Sequence, residues 1–131
     1  MNTDIQRLVD ITKDISPKSF INSSNELIIV PKINIYFRLE DVKNELDFKC
    51  KVIAWLSRPS HKGVSVYWQN GIRKILNQLL ETNFSKDDMD LIYTYLGNDV
   101  NRPLCEKFIQ SNYDLTMLRE KYDAEIMSHS K

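Results

Sequence analysis

The hydrophobic pattern of this chain changes its period at Glu40, and that change constrains the fold more than any other feature. Before Glu40, apolar and polar residues alternate over the first half of 33–39, which is typical of a half-buried strand. After Glu40, apolar residues recur every three or four positions, which indicates helices. We therefore expect an α+β fold, in which a small antiparallel β-sheet of two or three strands near the N-terminus packs against a bundle of five or six helices.

Local signals predict where individual helices begin and end. Ser85 and Asp88 have the spacing of a capping box, which predicts a helix start. Gly97 is expected to close that helix in the left-handed conformation, and Pro103 to lie in the first turn of the next helix. Gly71 falls inside a long helical pattern, where glycine costs about 1 kcal/mol relative to alanine, so it is expected to mark a close approach or a break.

A chain of 131 residues has the usual size of one domain. The last helix, from Asp114, is expected to bury a stripe formed by Leu115, Leu118, Tyr122 and Ile126. The predicted organisation is a single domain over 1–131, with a helix over 4–15, a β-hairpin or meander over 19–39, a helical region over 40–127 and a disordered tail over 128–131.

The charge balance favours contact with protein. The chain has 18 Lys and Arg against 18 Asp and Glu, whereas a protein that holds nucleic acid mainly by its phosphates is usually basic. Cys50 and Cys105 lie far apart within helical patterns and are expected to be reduced core thiols. With neither a leader nor an apolar run of membrane-spanning length, we expect a cytoplasmic protein that does not contact membranes.

Signatures of catalysis and of metal binding are weak. His61 is interpreted as a solvated loop residue, and no His or Cys pair has the spacing of metal ligands. Asp87, Asp88 and Asp90 fall in the first turn of a predicted helix, where carboxylates stabilise the helix dipole. We therefore expect no metal and no cofactor; an enzyme is the third hypothesis, for which no catalytic residue can be named.

A basic and aromatic segment is the leading candidate for a contact surface. Arg and large aromatic side chains are the residues that dominate binding energy at interfaces, and the same mixture suits single-stranded nucleic acid. The competing interpretation is that Trp55 and Trp68 are core and the loop is simply solvated, and for Trp55 we favour core. We call this candidate surface the basic–aromatic corner; it comprises Arg58, His61, Lys62, Tyr67, Trp68, Arg73 and Lys74.

The second candidate is the pair of helices joined around Gly97. A helix, a glycine-containing turn and a second helix carrying Arg102, Lys107 and Gln110 could form a DNA-binding helix-turn-helix. The same pattern also fits an ordinary helical hairpin, which is much commoner. The alternative function is therefore a DNA-binding regulator, which keeps nucleic acid open as a partner.

The stretches 55–63 (WLSRPSHKG) and 93–101 (YTYLGNDVN) resemble small uncharacterised proteins of phages and prophages of low-GC Gram-positive bacteria. The resemblance implies a phage accessory protein in the bacterial cytoplasm that binds a host protein, such as a restriction or CRISPR nuclease; an inhibitor of Cas9 belongs to this class. It implies no catalytic residue. A homodimer stays open, through a strand edge over 33–39 or through the last helix.

Overall fold

The computed structural model describes residues 2–24, 26–28, 36–38, 42–58, 66–97 and 99–129. Within these ranges the chain forms six α-helices, three short strands and one 3₁₀ turn. In chain order they are α1 (Asn2–Ile15), β1 (Phe20–Ile21), β2 (Glu26–Ile28), β3 (Tyr36–Arg38), α2 (Glu45–Leu56), α3 (Val66–Leu80), α4 (Lys86–Leu96), the 3₁₀ turn (Asp99–Asn101), α5 (Arg102–Gln110) and α6 (Thr116–His129).

The prediction of an α+β fold is wrong, because the described chain is mostly helical. The three strands pair antiparallel in the order β1-β2-β3, with Leu27 opposite both Ile21 and Phe37, but each has only two or three residues. Helices account for most of the described residues, whereas the three strands contribute only eight of them. Alternation in the sequence indicated an extended conformation, but the helical periodicity of the rest of the chain determines the fold class.

The core is formed mainly by helices packing on helices. α1 packs on α3, which also contacts α2 and α4, while α5 lies against α2 and α4. Leu76, Phe108 and Leu118, from three different helices, are completely buried. Leu27 of β2 joins the same core. The single cluster connects the first strands to the last helix, so the described segments share one core.

The local signals for helix ends hold where they depend on hydrogen bonds between near neighbours. The Asp88 amide donates to the Ser85 hydroxyl (3.1 Å) and the Ser85 amide donates to the Asp88 carboxylate (2.9 Å), which completes the predicted capping box. Pro103 lies in the first turn of α5 as expected. α6 continues to His129, so Ser128 and His129 are helical and not part of a disordered tail.

Gly97 and Gly71 do not have the roles that the sequence predicted for them. Gly97 has a φ of −80°, so it does not end α4 in the left-handed conformation. Glycine is needed there for another reason, since a β-carbon would overlap the carbonyl oxygen of Ser57 at the end of α2. At Gly71 the helix is unbroken, and no atom of the described chain lies within 4 Å of where a β-carbon would be. The close approach expected at Gly71 thus occurs at Gly97.

Candidate functional site

The end of α2 presents an ordered pair of a cation and an aromatic ring. Asn44 is the N-cap of α2 and Ser57 is its C-cap. The Ser57 amide donates to the Ile53 carbonyl (3.0 Å). Trp55 is half-buried against the core, and the guanidinium carbon of Arg58 lies 3.9 Å from the centroid of its ring. Trp55 thus packs against the core, as favoured from the sequence, and its ring also lies under Arg58.

Electrostatics favour this position of Arg58. A cation over the face of a tryptophan ring gains about 0.5 to 1 kcal/mol at an exposed site. Arg58 also follows the last turn of α2, where the partial negative charge of the helix dipole attracts a cation. Both effects favour the guanidinium over the ring, while Arg58 itself stays exposed.

The structure describes only some of the remaining residues of the basic–aromatic corner. His61 and Lys62 lie outside the described residues. Tyr67 and Trp68 belong to the first turn of α3, which packs on α2. Arg73 is half-buried, and within the described ranges its Nε atom has no hydrogen-bond acceptor; Lys74 is exposed.

In the alternative DNA-binding hairpin, Arg102 is engaged inside the protein. Its guanidinium contacts the Asp47 carboxylate through Nη1 (3.0 Å) and the Glu106 carboxylate through Nε (3.1 Å). These contacts attach the start of α5 to α2, so reaching a phosphate would require Arg102 to leave two carboxylates. Lys107 and Gln110 are exposed on α5.

Asp47 is a charged centre that the sequence analysis did not identify. Its carboxylate accepts from the Lys43 amide (2.9 Å) and contacts Lys51 Nζ (3.0 Å) in addition to Arg102. Burial alone would raise the pKa of Asp47, but the Lys43 amide and the cations of Lys51 and Arg102 more than offset it, so the pKa lies below its usual value. The Asn44 cap and the four-residue spacing of Asp47 and Lys51 are local signals from which part of this cluster could have been predicted. The contact with Arg102 could not have been predicted, because Arg102 is distant in sequence.

Outside these clusters, the described residues with potential chemistry include a pair of thiols and a helix cap. Within the ranges that the structure describes, no three His, Cys, Asp or Glu side chains are grouped to hold a metal. Cys50 and Cys105 are buried free thiols that face each other between α2 and α5. The hydrogen bond from Cys105, together with the charge of Arg102, lowers the pKa of Cys50, while the same bond and burial raise the pKa of Cys105. Asp88 caps α4 and lies 3.7 Å from Arg119.

Two clefts are lined by residues that the structure describes. The cleft beside the start of α2 has a volume of about 450 Å³ and is lined by Asn44, Glu45, Leu46, Lys49 and Ile109. Its one cation, Lys49, lies 3.3 Å from Glu45 and 5.9 Å from the centre of the Tyr113 ring. A second cleft, of about 330 Å³, lies where α3 and α5 end. Both are open to solvent, unlike the enclosed apolar pockets that bind small molecules.

The last helix is exposed where the sequence predicted burial. Leu118 is completely buried, but Tyr122 is 44% exposed and Ile126 is 47% exposed. α6 is held to α4 on another side, where the Tyr95 hydroxyl donates to Glu125 (2.9 Å) and Lys121 lies 5.7 Å from the Tyr95 ring centre. The predicted buried stripe is therefore wrong for its second half, where Tyr122 and Ile126 are exposed.

Comparison with known proteins adds no relative: no protein-family model, curated protein or solved structure matches this chain. None of the described helices is both long enough and apolar enough to cross a membrane.

Proposed function

We propose that this chain is a non-enzymatic phage accessory protein that binds a host protein in the bacterial cytoplasm. The observation that carries the proposal is the exposed guanidinium of Arg58 held over the Trp55 ring at the end of α2. An ordered, exposed cation beside an aromatic side chain is the composition of a binding hot spot, and it needs no reactive group.

Preorganisation explains why this pair suits binding. A free arginine loses rotamer freedom when a partner immobilises it, at about 0.5 to 1.5 kcal/mol per side chain. The ring of Trp55 has already restricted Arg58, so a carboxylate of the partner could accept two parallel hydrogen bonds at a lower entropic cost. An acidic protein surface is the complementary partner.

The charge of the chain favours a protein partner over nucleic acid. The chain has no net charge, and Arg102 of the alternative DNA-binding hairpin is paired with Asp47 and Glu106. Because the resemblance to phage proteins implies host targets, we propose a defence nuclease as the class of partner to test first, with Cas9 as one member.

The test is an affinity capture from a Gram-positive host lysate with tagged protein, with and without nuclease treatment, followed by titration of the captured protein. We expect a stoichiometric protein that survives nuclease treatment. Arg58→Ala should weaken its binding by about tenfold or more, and Arg58→Lys should recover only part of the loss because an ammonium cannot form the planar fork. Lys13→Ala, which removes one exposed charge from α1, is the matched control and should bind normally.

Changing Arg58, His61 and Lys62 together to Ala should abolish binding and leave the melting temperature nearly unchanged. Unaltered binding by the Arg58→Ala variant would exclude this surface. Capture that depends on intact nucleic acid would contradict a protein partner and support the DNA-binding alternative, whose affinity must fall steeply with salt.

A further inference from the structure

The two cysteines of the chain meet in the core although they are far apart in sequence. Cys50 lies on α2 and Cys105 on α5, and both side chains are buried. The sequence contains no other cysteine, so every thiol of the protein lies in this one contact between helices. A single buried cysteine behaves as a small apolar residue, whereas two facing thiols can also react with each other.

An ion pair one helical turn away defines how the two cysteines face each other. Asp47 precedes Cys50 by three residues on α2, and Arg102 precedes Cys105 by three residues on α5. Residues three apart lie on the same face of a helix. Arg102 Nη1 is 3.0 Å from the Asp47 carboxylate, and one turn further along both helices the two thiols are in hydrogen-bond contact. The ion pair and the thiol pair are therefore successive contacts of the same α2–α5 junction.

The surroundings of the pair make the two sulfurs unequal. The hydrogen bond from the Cys105 thiol and the positive charge of Arg102 lower the pKa of Cys50. They outweigh burial and the negative charges of Glu106 and Asp47, which act in the opposite direction. The same hydrogen bond and burial raise the pKa of Cys105. Because the thiolate is the nucleophilic form of cysteine, this difference suits a pair in which one sulfur attacks and the other resolves.

We propose that Cys50 and Cys105 are a redox-sensitive pair, which hydrogen peroxide converts into a reversible disulfide that joins α2 to α5. Both sulfurs are buried, so a small oxidant that enters during local opening of the core is favoured over a bulky one such as oxidised glutathione. This device is separate from the binding role proposed for Arg58 and does not depend on it.

The reaction uses one molecule of peroxide and releases two of water. The Cys50 thiolate attacks one peroxide oxygen, so an S–O bond forms, the O–O bond breaks, and the leaving hydroxide takes up the proton that Cys50 released. Cys50 is thereby oxidised to a sulfenic acid while the peroxide is reduced. Cys105 then loses its proton and attacks the sulfur of Cys50, which forms the S–S bond and releases the sulfenic oxygen as water. A dithiol reductant restores both thiols by exchange.

The disulfide is expected to stabilise the folded protein. It would close a loop of the chain that contains both α3 and α4. Closing a long loop restricts the unfolded chain more than closing a short one, so the unfolded state of the oxidised protein is disfavoured. Oxidation should therefore raise the melting temperature by about 5 °C or more.

The test treats the full native chain with hydrogen peroxide, removes the peroxide with catalase, and blocks free thiols with N-ethylmaleimide in denaturant. Mass spectrometry then counts the blocked thiols with and without prior reduction by dithiothreitol. We expect a monomer in which Cys50 and Cys105 are both protected from blocking until they are reduced. The raised melting temperature of this monomer should return to its starting value after reduction.

The matched control is Cys50→Ala/Cys105→Ala, which keeps the four methionines that peroxide also oxidises. Peroxide should not raise its melting temperature, so the effect of methionine oxidation is measured separately. The single variants identify the attacking sulfur. Cys105→Ala should accumulate a sulfenic acid at Cys50 that dimedone traps, whereas Cys50→Ala should leave Cys105 unmodified.

Two free thiols after treatment of the native chain would overturn the proposal. So would a disulfide that forms only in urea, because both results describe inert core cysteines. A disulfide between two copies of the chain, seen as a dimer on a non-reducing gel, would contradict a junction within one chain. An oxidised monomer that melts no higher than the reduced protein would exclude a stabilising link between α2 and α5.

Discussion

The hydroxyl of Tyr93 is a buried polar group without a hydrogen-bond partner among the described residues. Tyr93 is 3% exposed, and burial, with a smaller contribution from Asp90, raises its pKa to about 12. Leaving a buried hydroxyl unpaired costs about 1 to 3 kcal/mol. We therefore expect Tyr93→Phe to increase the free energy of unfolding by about 1 kcal/mol, measured by urea denaturation at neutral pH.

Tyr95 provides the matched comparison for this prediction. It is also buried, but its hydroxyl donates to Glu125, so Tyr95→Phe should decrease stability by about 1 kcal/mol. The raised pKa of Tyr93 adds a test at high pH. The unfolded tyrosine ionises at a pH of about 10, whereas the buried side chain resists ionisation up to about 12, so the wild type loses stability as the pH rises through that interval; phenylalanine cannot ionise, and the variant should lose less. A destabilised Tyr93→Phe variant would show that the hydroxyl has a partner.

Residue roles could be predicted from the sequence where the partners are close in the chain. Ser85 and Asp88 were identified as a capping box because both hydrogen bonds lie within one turn. Arg102 was considered for DNA contact because nothing in its neighbourhood indicated Asp47, which is brought to it only by the packing of α5 on α2. Local sequence patterns are thus sufficient to predict helix caps, whereas tertiary packing determines which charged side chains are left without an ion-pair partner.

At the scale of elements, the contact between the ends of α2 and α4 depends on Gly97. A β-carbon at that position would overlap the Ser57 carbonyl oxygen and lie 2.8 Å from the carbonyl carbon, both of which are backbone atoms that cannot turn aside. We expect Gly97→Ala to lower the free energy of unfolding by about 1 to 3 kcal/mol, the range for overpacking. Thermal or urea denaturation measures this directly.

Gly71 is the control for the general effect of replacing glycine in this chain. It lies inside α3, and apart from its chain neighbours and the helix's own backbone, no described atom is within 4 Å of where a β-carbon would be, so Gly71→Ala should raise stability by about 0.5 to 1 kcal/mol through helix propensity. Opposite signs at the two positions are expected. Destabilisation by both substitutions, or by neither, would contradict a specific close approach at Gly97.

The elements themselves were predictable to different degrees. Helices with long periodic stripes, such as α3 and α4, lie where the pattern placed them, since many residues contribute to the signal. Extended segments gave the wrong fold class because a few alternating residues do not specify how long a strand ladder becomes. In α6 the stripe predicted from apolar spacing is buried at Leu118 but exposed at Tyr122 and Ile126, because spacing alone does not show which residues another helix covers.

For the molecule as a whole, α2 and α5 are joined by charge as well as by apolar packing. Asp47 is 6% exposed and links the Lys43 amide before α2, Lys51 within α2 and Arg102 at the start of α5. Breaking a buried charged contact by removing one partner is costly, whereas exposed ion pairs contribute little. Asp47 should therefore contribute more to global stability than the more exposed pair of Arg7 and Glu81.

Acid should unfold the protein partly through Asp47. Its pKa is below the ordinary value of 3.8, so its stabilising charge is fully present above about pH 4 and is lost as the pH falls through the folded-state pKa. We expect Asp47→Asn to reduce the free energy of unfolding by about 1 to 3 kcal/mol at about pH 6, because the amide still accepts from Lys43 but cannot balance Lys51 and Arg102.

The difference between wild type and Asp47→Asn should shrink as the pH falls through the folded-state pKa of Asp47, because the carboxyl then becomes uncharged like the amide. Urea denaturation at a series of pH values measures it. Glu81→Gln, which weakens an exposed ion pair, is the control and should change stability by less than about 0.5 kcal/mol throughout. A difference for Asp47→Asn that stays constant with pH would mean that the residue stabilises the α2–α5 junction by shape and hydrogen bonding, and not by its charge.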